Sequence, residues 1–279
     1  MEILEQLDAF TGLSYLKPDL FDAVILDLPY PFDRRGGSTA RCQDWFPAFN
    51  GWKGEDWEDA YDDPTLEDND QDRFWAWFHA VMHEVVRTSI DGAYIVLFTT
   101  EDNMHKIKKE MSELPTDTEF DTEFLYDVEY RRAWIWDKVN FGMGYYGRLQ
   151  HEFMMIFTLG KPNTYVQSHG TVFKQKKVNS DFPTEKPVQL FKELLPLLVD
   201  EEKDPKDINI CDATCGSGPV LKAAKELGYG YCGFDIWDKA IEETKEKLRQ
   251  TSLAGSNVSM PNVSIPEETE QKTLSITER

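Results

Sequence analysis

Hydrophobic positions along the chain group into short runs of two kinds. Continuous apolar, β-branched runs occur at 21–30 (FDAVILDLPY), 93–99 (AYIVLFT), 208–212 (INICD) and 231–236 (YCGFDI). Runs of that length bounded by turn residues predict strands buried on both faces. Two longer stretches, 124–138 (FLYDVEYRRAWIWDK) and 151–160 (HEFMMIFTLG), predict further strands. Between them the period changes to that of a helix. Residues 74–90 (FWAWFHAVMHEVVRTSI), 183–199 (PTEKPVQLFKELLPLLV), 219–228 (PVLKAAKELG) and 238–250 (DKAIEETKEKLRQ) repeat apolar positions every three to four residues. In the second of these Thr184 is the expected cap and Pro187 an early helical position. The third closes at Gly228, and the fourth carries Glu–Lys pairs four apart. Strands alternating with helices predict an α/β fold, a mostly parallel sheet with helices on both faces.

Two stretches fall outside this pattern. Residues 55–72 hold ten carboxylates and no Lys or Arg, about half of the net charge of −21. They read as part of an acidic insertion over about 33–72, either a solvated loop or a lid, cation site or docking surface. From Thr251 to Arg279 the chain is rich in Ser, Thr, Asn and Glu without apolar period, and a flexible tail is expected. A main domain over 1–250 remains.

The 279 residues are 41% hydrophobic and 13% aromatic, which excludes a wholly disordered chain. No apolar run reaches the ~18 residues of a membrane span, and MEILEQLDAF lacks the basic and apolar regions of a signal peptide. Cys42, Cys211, Cys215 and Cys232 suit a reducing compartment better than a disulfide framework. The expected location is cytoplasmic, in a prokaryote or, for a viral protein, in the host cytoplasm. The acidic balance argues against a passive nucleic-acid coat, so any nucleic-acid contact must gather basic residues locally.

Two motifs carry chemistry. Residues 210–236 run from a strand ending at Asp212, through Gly216-Ser217-Gly218 and a helix, to a strand ending at Asp235. Glycines let the backbone approach a ligand in front of a helix N-terminus, and an acid after the next strand suits the hydroxyls of a ribose. A nicotinamide dinucleotide fits less well, because Leu221 stands where GxGxxG has its third glycine. The second motif, Asp27-Leu28-Pro29-Tyr30, follows a buried strand. Its residue types suit methylation of a ring-conjugated amine. The Asp27 carboxylate and the Leu28 carbonyl can take hydrogen bonds from the NH₂ and free its lone pair. Pro29 stiffens the turn, and Tyr30 offers a ring for a flipped base.

Together these segments resemble the S-adenosylmethionine-dependent amino-group DNA methyltransferases, and within them the circularly permuted β group. The order is DLPY (27–30), WIWDK (134–138), HEF (151–153), PTEKP (183–187), DATCGSG (212–218) and GFDI (233–236). The resemblance covers roughly residues 20–250. It implies a Rossmann-like class I methyltransferase fold and S-adenosyl-L-methionine as cofactor. It places the target base at Asp27, Leu28, Pro29 and Tyr30. It places the cofactor at Thr184 and Lys186, at Asp212, Thr214, Cys215, Gly216, Ser217 and Gly218, and at Asp235, Ile236 and Trp237.

The sequence departs from the family pattern in having Leu28 for the usual Pro, Thr214 for the usual Phe and Phe182 where a His often stands. Asp27 in place of Ser favours adenine N6 over cytosine N4. The expected function is site-specific methylation of adenine N6 in DNA. The alternatives are cytosine N4, an RNA substrate, or a non-catalytic cofactor-binding subunit with a basic partner; a homodimer is also open.

Arg34 and Arg35, and Lys174, Lys176 and Lys177 beside Phe173, are the candidate DNA contacts, with a short recognition segment at about 161–182. Trp45, Trp52 and Trp57 either stack on bases or pack within their loop. His79 and His83, four apart, have zinc-like spacing but no third ligand, and packing is expected instead. Cys211 and Cys215 are read as small turn residues, His151 as a support for its strand, and no metal is expected.

Overall fold

In the run Phe21–Leu26 every residue is buried, as a central strand covered on both sides demands. The computed structural model describes residues 1–28, 70–114, 127–142, 147–162, 169–180, 182 and 185–252, with residues 70–73 and 251–252 described by backbone only. Its strands are β1 (Glu2–Glu5), β2 (Phe21–Leu26), β3 (Ser89–Thr99), β4 (Val128–Asp137), β5 (His151–Leu159), β6 (Val172–Lys174), β7 (Asn209–Asp212) and β8 (Gly230–Phe234). They form one sheet in the order β1-β8-β7-β2-β3-β5-β4-β6. Every neighbouring pair is parallel except the two that β5 makes, so β5 alone runs against the rest.

The helices are α1 (Ala9–Ser14), α2 (Asp70–Thr88), α3 (Glu101–Glu113), α4 (Val188–Leu194), α5 (Pro219–Glu226) and α6 (Asp238–Ser252). One core joins α1, α2 and α3 to one face of the sheet through Leu13, Phe78, Val81 and Ile107. The other joins α4, α5 and α6 to the opposite face through Leu190, Phe191, Val220 and Ile241. Each such side chain, fully buried, contributes roughly 1.5–3 kcal/mol. The expected α/β class and the helices on both faces are both present.

Several boundaries differ from expectation. α2 stops at Thr88, before Ser89 and Ile90. The Thr88 and Ser89 hydroxyls donate back to the Glu84 and Val85 carbonyls (2.7 and 2.6 Å), and Ser89 pairs with Phe21 in the sheet. α2 also begins at Asp70, so the end of the acidic segment is a helical turn. α4 begins only at Val188, with Pro187 as its N-cap residue in extended conformation, and so Pro187 is not a helical position. It tightens into a 3₁₀ turn at Leu195–Leu197, where Pro196 has no N–H to continue an α-helix. α6 reaches Ser252, past the expected start of the tail.

β1, α1, α3 and β6 had no strong sequence signal. α1 is held by distant partners. Asp8 caps its start by accepting from Phe10 N–H (2.9 Å) and binds the Trp77 indole (3.1 Å), while Arg87 donates to the Leu13 and Leu16 carbonyls at its end.

Candidate active site

The carboxyl ends of β2, β3, β4, β7 and β8 share one edge of the sheet, and the reversed β5 brings its first residues to the same edge. β7 continues through α5 to β8 on one side, and β2 through α2 to β3 on the other. The gap between β7 and β2 is therefore where the strand order reverses, the crevice at which open α/β sheets bind ligands. Asp27 follows β2 and Asp212 ends β7, the two strands that flank it. Asp235 follows β8, and Glu152 stands at the head of β5.

The glycine turn is tightly built. Gly216 and Gly218 have positive φ (52° and 77°). A Cβ on Gly218 would lie 2.4 Å from Thr244 Cγ2, so only glycine fits there. Thr244 on α6 donates to the Gly216 carbonyl (2.8 Å), and Cys215 N–H donates to the Phe234 carbonyl (2.9 Å). Asp235 accepts from the Gly216 and Trp237 backbone N–H groups (2.8 and 2.9 Å), tying the turn to the end of β8. The missing third glycine is compensated from the other side. Leu221 of α5 packs into the space over Gly233 of β8, where a Cβ would come within 2.3 Å of it. Around this turn Phe182 and Trp237 lie ring against ring (5.3 Å between centroids), and Ile236 is exposed beside them. The Thr214 and Ser217 hydroxyl oxygens are buried and have no hydrogen-bond partner among the described residues.

The electrostatics of the edge centre on Lys186. Its side chain is buried, its ammonium paired with Asp27 and 3.3 Å from Glu152 Oε2, under the rings of Phe98 and Trp136 (4.7 and 6.0 Å). Lys138 takes the other Glu152 oxygen at 2.6 Å. Burial alone would lower Lys186, but Asp27 and Glu152 outweigh it and hold the ammonium above its ordinary value. Burial alone would raise Glu152, and the two lysines hold it below. Asp27 has part of its surface open to solvent. Burial of the rest still raises its carboxyl, Lys186 opposing the rise most strongly, Glu152 adding to it and Lys138 opposing it. Asp212 is pushed up to about 8, first by burial and then by Asp27 and Asp235, against a hydrogen bond from Thr214 N–H and the charge of Lys186. Burial likewise raises Asp235.

The structure therefore gathers Asp27, Asp212, Thr214, Cys215, Gly216, Ser217, Gly218, Asp235, Ile236 and Trp237 at one edge. Lys186 faces Asp27. The Leu28 side chain enters the core. Pro29, Tyr30, Arg34, Arg35, Cys42, Trp45, Trp52, Trp57 and Thr184 lie outside the described residues. Lys174, Lys176 and Lys177 are exposed and form no ion pair among the described residues. Phe173, just before them, is buried, stacked on His169 (4.8 Å) and tilted against Trp134, so it cannot stack on a base as its setting in sequence suggested. β6, pairing with β4, puts it there. His79 pairs with Glu110, and no group of three metal-ligating side chains occurs among the described residues. Cys211, Cys215 and Cys232 are buried free thiols. His151 lies edge-on to Phe153 (5.0 Å). Glu152 and Lys138 were not singled out from sequence. For Glu152 the signal was a charged residue at the head of the otherwise apolar β5, and for Lys138 its place directly after β4, at the same edge.

A model of the DNA methylase family matches residues 21–246. The chain belongs to that family. Among DNA methylases it is similar to Type II methyltransferase M2.LlaDCHI of Lactococcus lactis subsp. cremoris, 25% identical over 260 residues, 91% of each chain. In fold it is similar to M1.HpyAVI in complex with SAM (TM-score 0.58, 15% identity, 89% of this chain and 100% of the other). A second similar fold is the PvuII DNA methyltransferase, described as cytosine-N4-specific (TM-score 0.57, 9% identity, 88% and 85%). The fold is that of class I methyltransferases, and S-adenosylmethionine is the methyl donor of the DNA methylase family. Among the described residues no helix is long and apolar enough to cross a membrane.

Proposed function

We propose that this DNA methylase transfers a methyl group from S-adenosyl-L-methionine to the N6 amine of a flipped adenine in DNA. The observation that carries the reading is Asp27 at the crevice, with the positive-φ glycine turn one strand away. The residues at that turn fit the cofactor. Two buried hydroxyls, Thr214 and Ser217, lack partners among the described residues, and the glycines leave the backbone open to close approach. Beside the turn, Asp212 and Asp235 form no ion pair among the described residues, an environment that favours a cationic ligand. Asp212 to Gly218 would hold the methionine portion, Asp235 the ribose, and Ile236 and Trp237 the adenine ring, with Thr184 and Lys186 nearby. When bound, the cofactor supplies a methyl group on a sulfonium, a good leaving-group centre.

Asp27 and the Leu28 carbonyl accept hydrogen bonds from the target amine and turn its lone pair out of conjugation. Pro29 and Tyr30 position the base, and most of the rate comes from holding the amine in line. Asp27, where a Ser would favour cytosine, supports adenine. Lys174, Lys176 and Lys177, on the same edge as Asp137 through β6, supply phosphate contacts, with Arg34 and Arg35.

The test is nucleoside mass spectrometry after incubating the chain with S-adenosylmethionine and unmethylated DNA. N6-methyladenine is expected. N4-methylcytosine would move the base to the cytosine alternative, and no methylated base in the presence of cofactor binding would overturn the reading. Asp27→Ala should lower methyl transfer at least about 100-fold and leave cofactor affinity intact, and Asp235→Ala should weaken cofactor binding instead. The reverse pattern in cofactor titrations would refute these roles.

A further inference from the structure

The Lys186 ammonium is bound to the Asp27 carboxylate, and it has a second acceptor in reach. Lys138 takes Glu152 Oε1 at 2.6 Å, which leaves Oε2, 3.3 Å from Lys186, as that acceptor. The rings of Phe98 and Trp136 lie over the ammonium, 4.7 and 6.0 Å from it. A carboxylate bound to an ammonium is a weaker acceptor for a further donor, because its charge is already satisfied.

We propose that Lys186 and Glu152 are positioning residues for Asp27. Lys186 holds the Asp27 carboxylate in the resting protein and passes to Glu152 Oε2 when the target amine takes its place. Asp27 then meets the amine with its full charge, while the buried ammonium is never left unpaired. The charged groups that face Asp27 are Lys186, Glu152, Lys138 and Asp212. This inference rests on the reading of Asp27 as the acceptor of the target amine.

Two measurements test it, one without turnover. In the unliganded protein, ¹³C-carboxyl NMR follows the titration of Asp27. Lys186→Met should raise it by about one unit or more, and Glu152→Gln should lower it, because Lys186 then rests on Asp27 alone. No movement of Asp27 in either variant would overturn the proposal. In steady-state methylation, Glu152→Gln should reduce kcat/KM for DNA about 10- to 100-fold, the size of one missing charge-assisted hydrogen bond. Cofactor affinity should stay within about 3-fold, and the acid limb of the rate profile should move to lower pH. Lys186→Arg should recover part of the activity that Lys186→Met removes. A loss confined to cofactor affinity, with no change in the pH profile, would overturn the proposal. Failure of the wild-type chain to methylate DNA would count against the Asp27 reading itself. The NMR titration would still decide whether Lys186 and Glu152 control that carboxyl.

Discussion

Asp212 illustrates how a single buried acid can work against the fold. Its folded-state value of about 8 lies above the ordinary 3.8. The folded protein therefore binds a proton that the unfolded chain releases once the pH exceeds ~4, and stability falls as pH rises from there to about 8. Asp212→Asn should stabilise the protein by about 1–3 kcal/mol at pH near 9 and have little effect near pH 4, measured by denaturant unfolding at both. A cationic ligand beside Asp212 favours its charged form, so cofactor affinity should rise with pH and level off above about 8. A pH-independent affinity by calorimetry would mean that the ligand's charge is elsewhere. At Gly218 the constraint is steric. Both its positive φ and the approach of Thr244 exclude a Cβ, so Gly218→Ala should cost a few kcal/mol, about 2–4, and weaken cofactor binding at the same time. Thermal unfolding within about 1 °C of wild type, the scatter expected of a neutral change, would show that the turn can relax.

At the scale of elements, the reversed strand β5 matters most. Had it run parallel to its neighbours, Glu152 would lie at the opposite edge from Asp27, and Lys186 would have one acceptor instead of two. The glycine turn depends on three elements at once: β8 through Asp235 and Phe234, α6 through Thr244, and α5 through Leu221 over Gly233. Gly233→Ala forces Leu221 outward and should reduce stability by about 1–3 kcal/mol, with the loss shared by cofactor affinity. α1 has a similar dependence on α2. Arg87→Met removes the donors to the Leu13 and Leu16 carbonyls, and hydrogen exchange should rise first in Ala9–Ser14.

For the whole molecule, the question is how a chain of net charge −21 holds DNA. The net charge opposes long-range attraction, so binding has to rest on local contacts, and its salt dependence counts the phosphates those contacts neutralise. Replacing Lys174, Lys176 and Lys177 together by Ser should weaken DNA binding uniformly across sequences. The log–log salt slope should shrink by up to about 0.9 for each phosphate that no longer has a lysine against it. An unchanged slope in electrophoretic shifts at several salt concentrations would move the phosphate contacts to another face of the protein.

The sequence alone determined the alternation of buried strands and helices, because parallel strands covered on both faces need continuous apolar runs such as Phe21–Leu26. It also determined the two motifs with local geometry, since a glycine turn and a strand-ending Asp-Leu-Pro-Tyr are made of neighbours in the chain. The family could be read from their order. Tertiary structure alone decided what depended on residues far apart. Asp27 stands 159 positions from Lys186, and Glu152 comes from a third element. Only the reversal of β5 and the crossover before β7 bring the three together. Phe173 looked like a stacking residue because lysines follow it, and pairing of a three-residue edge strand with β4 buried it. Weak local signals at β1, α1, α3 and β6 became structure through partners such as Arg87 and Trp77. The physical reason is the same throughout: short-range preferences act between neighbours in the chain, while burial and charge act between neighbours in space.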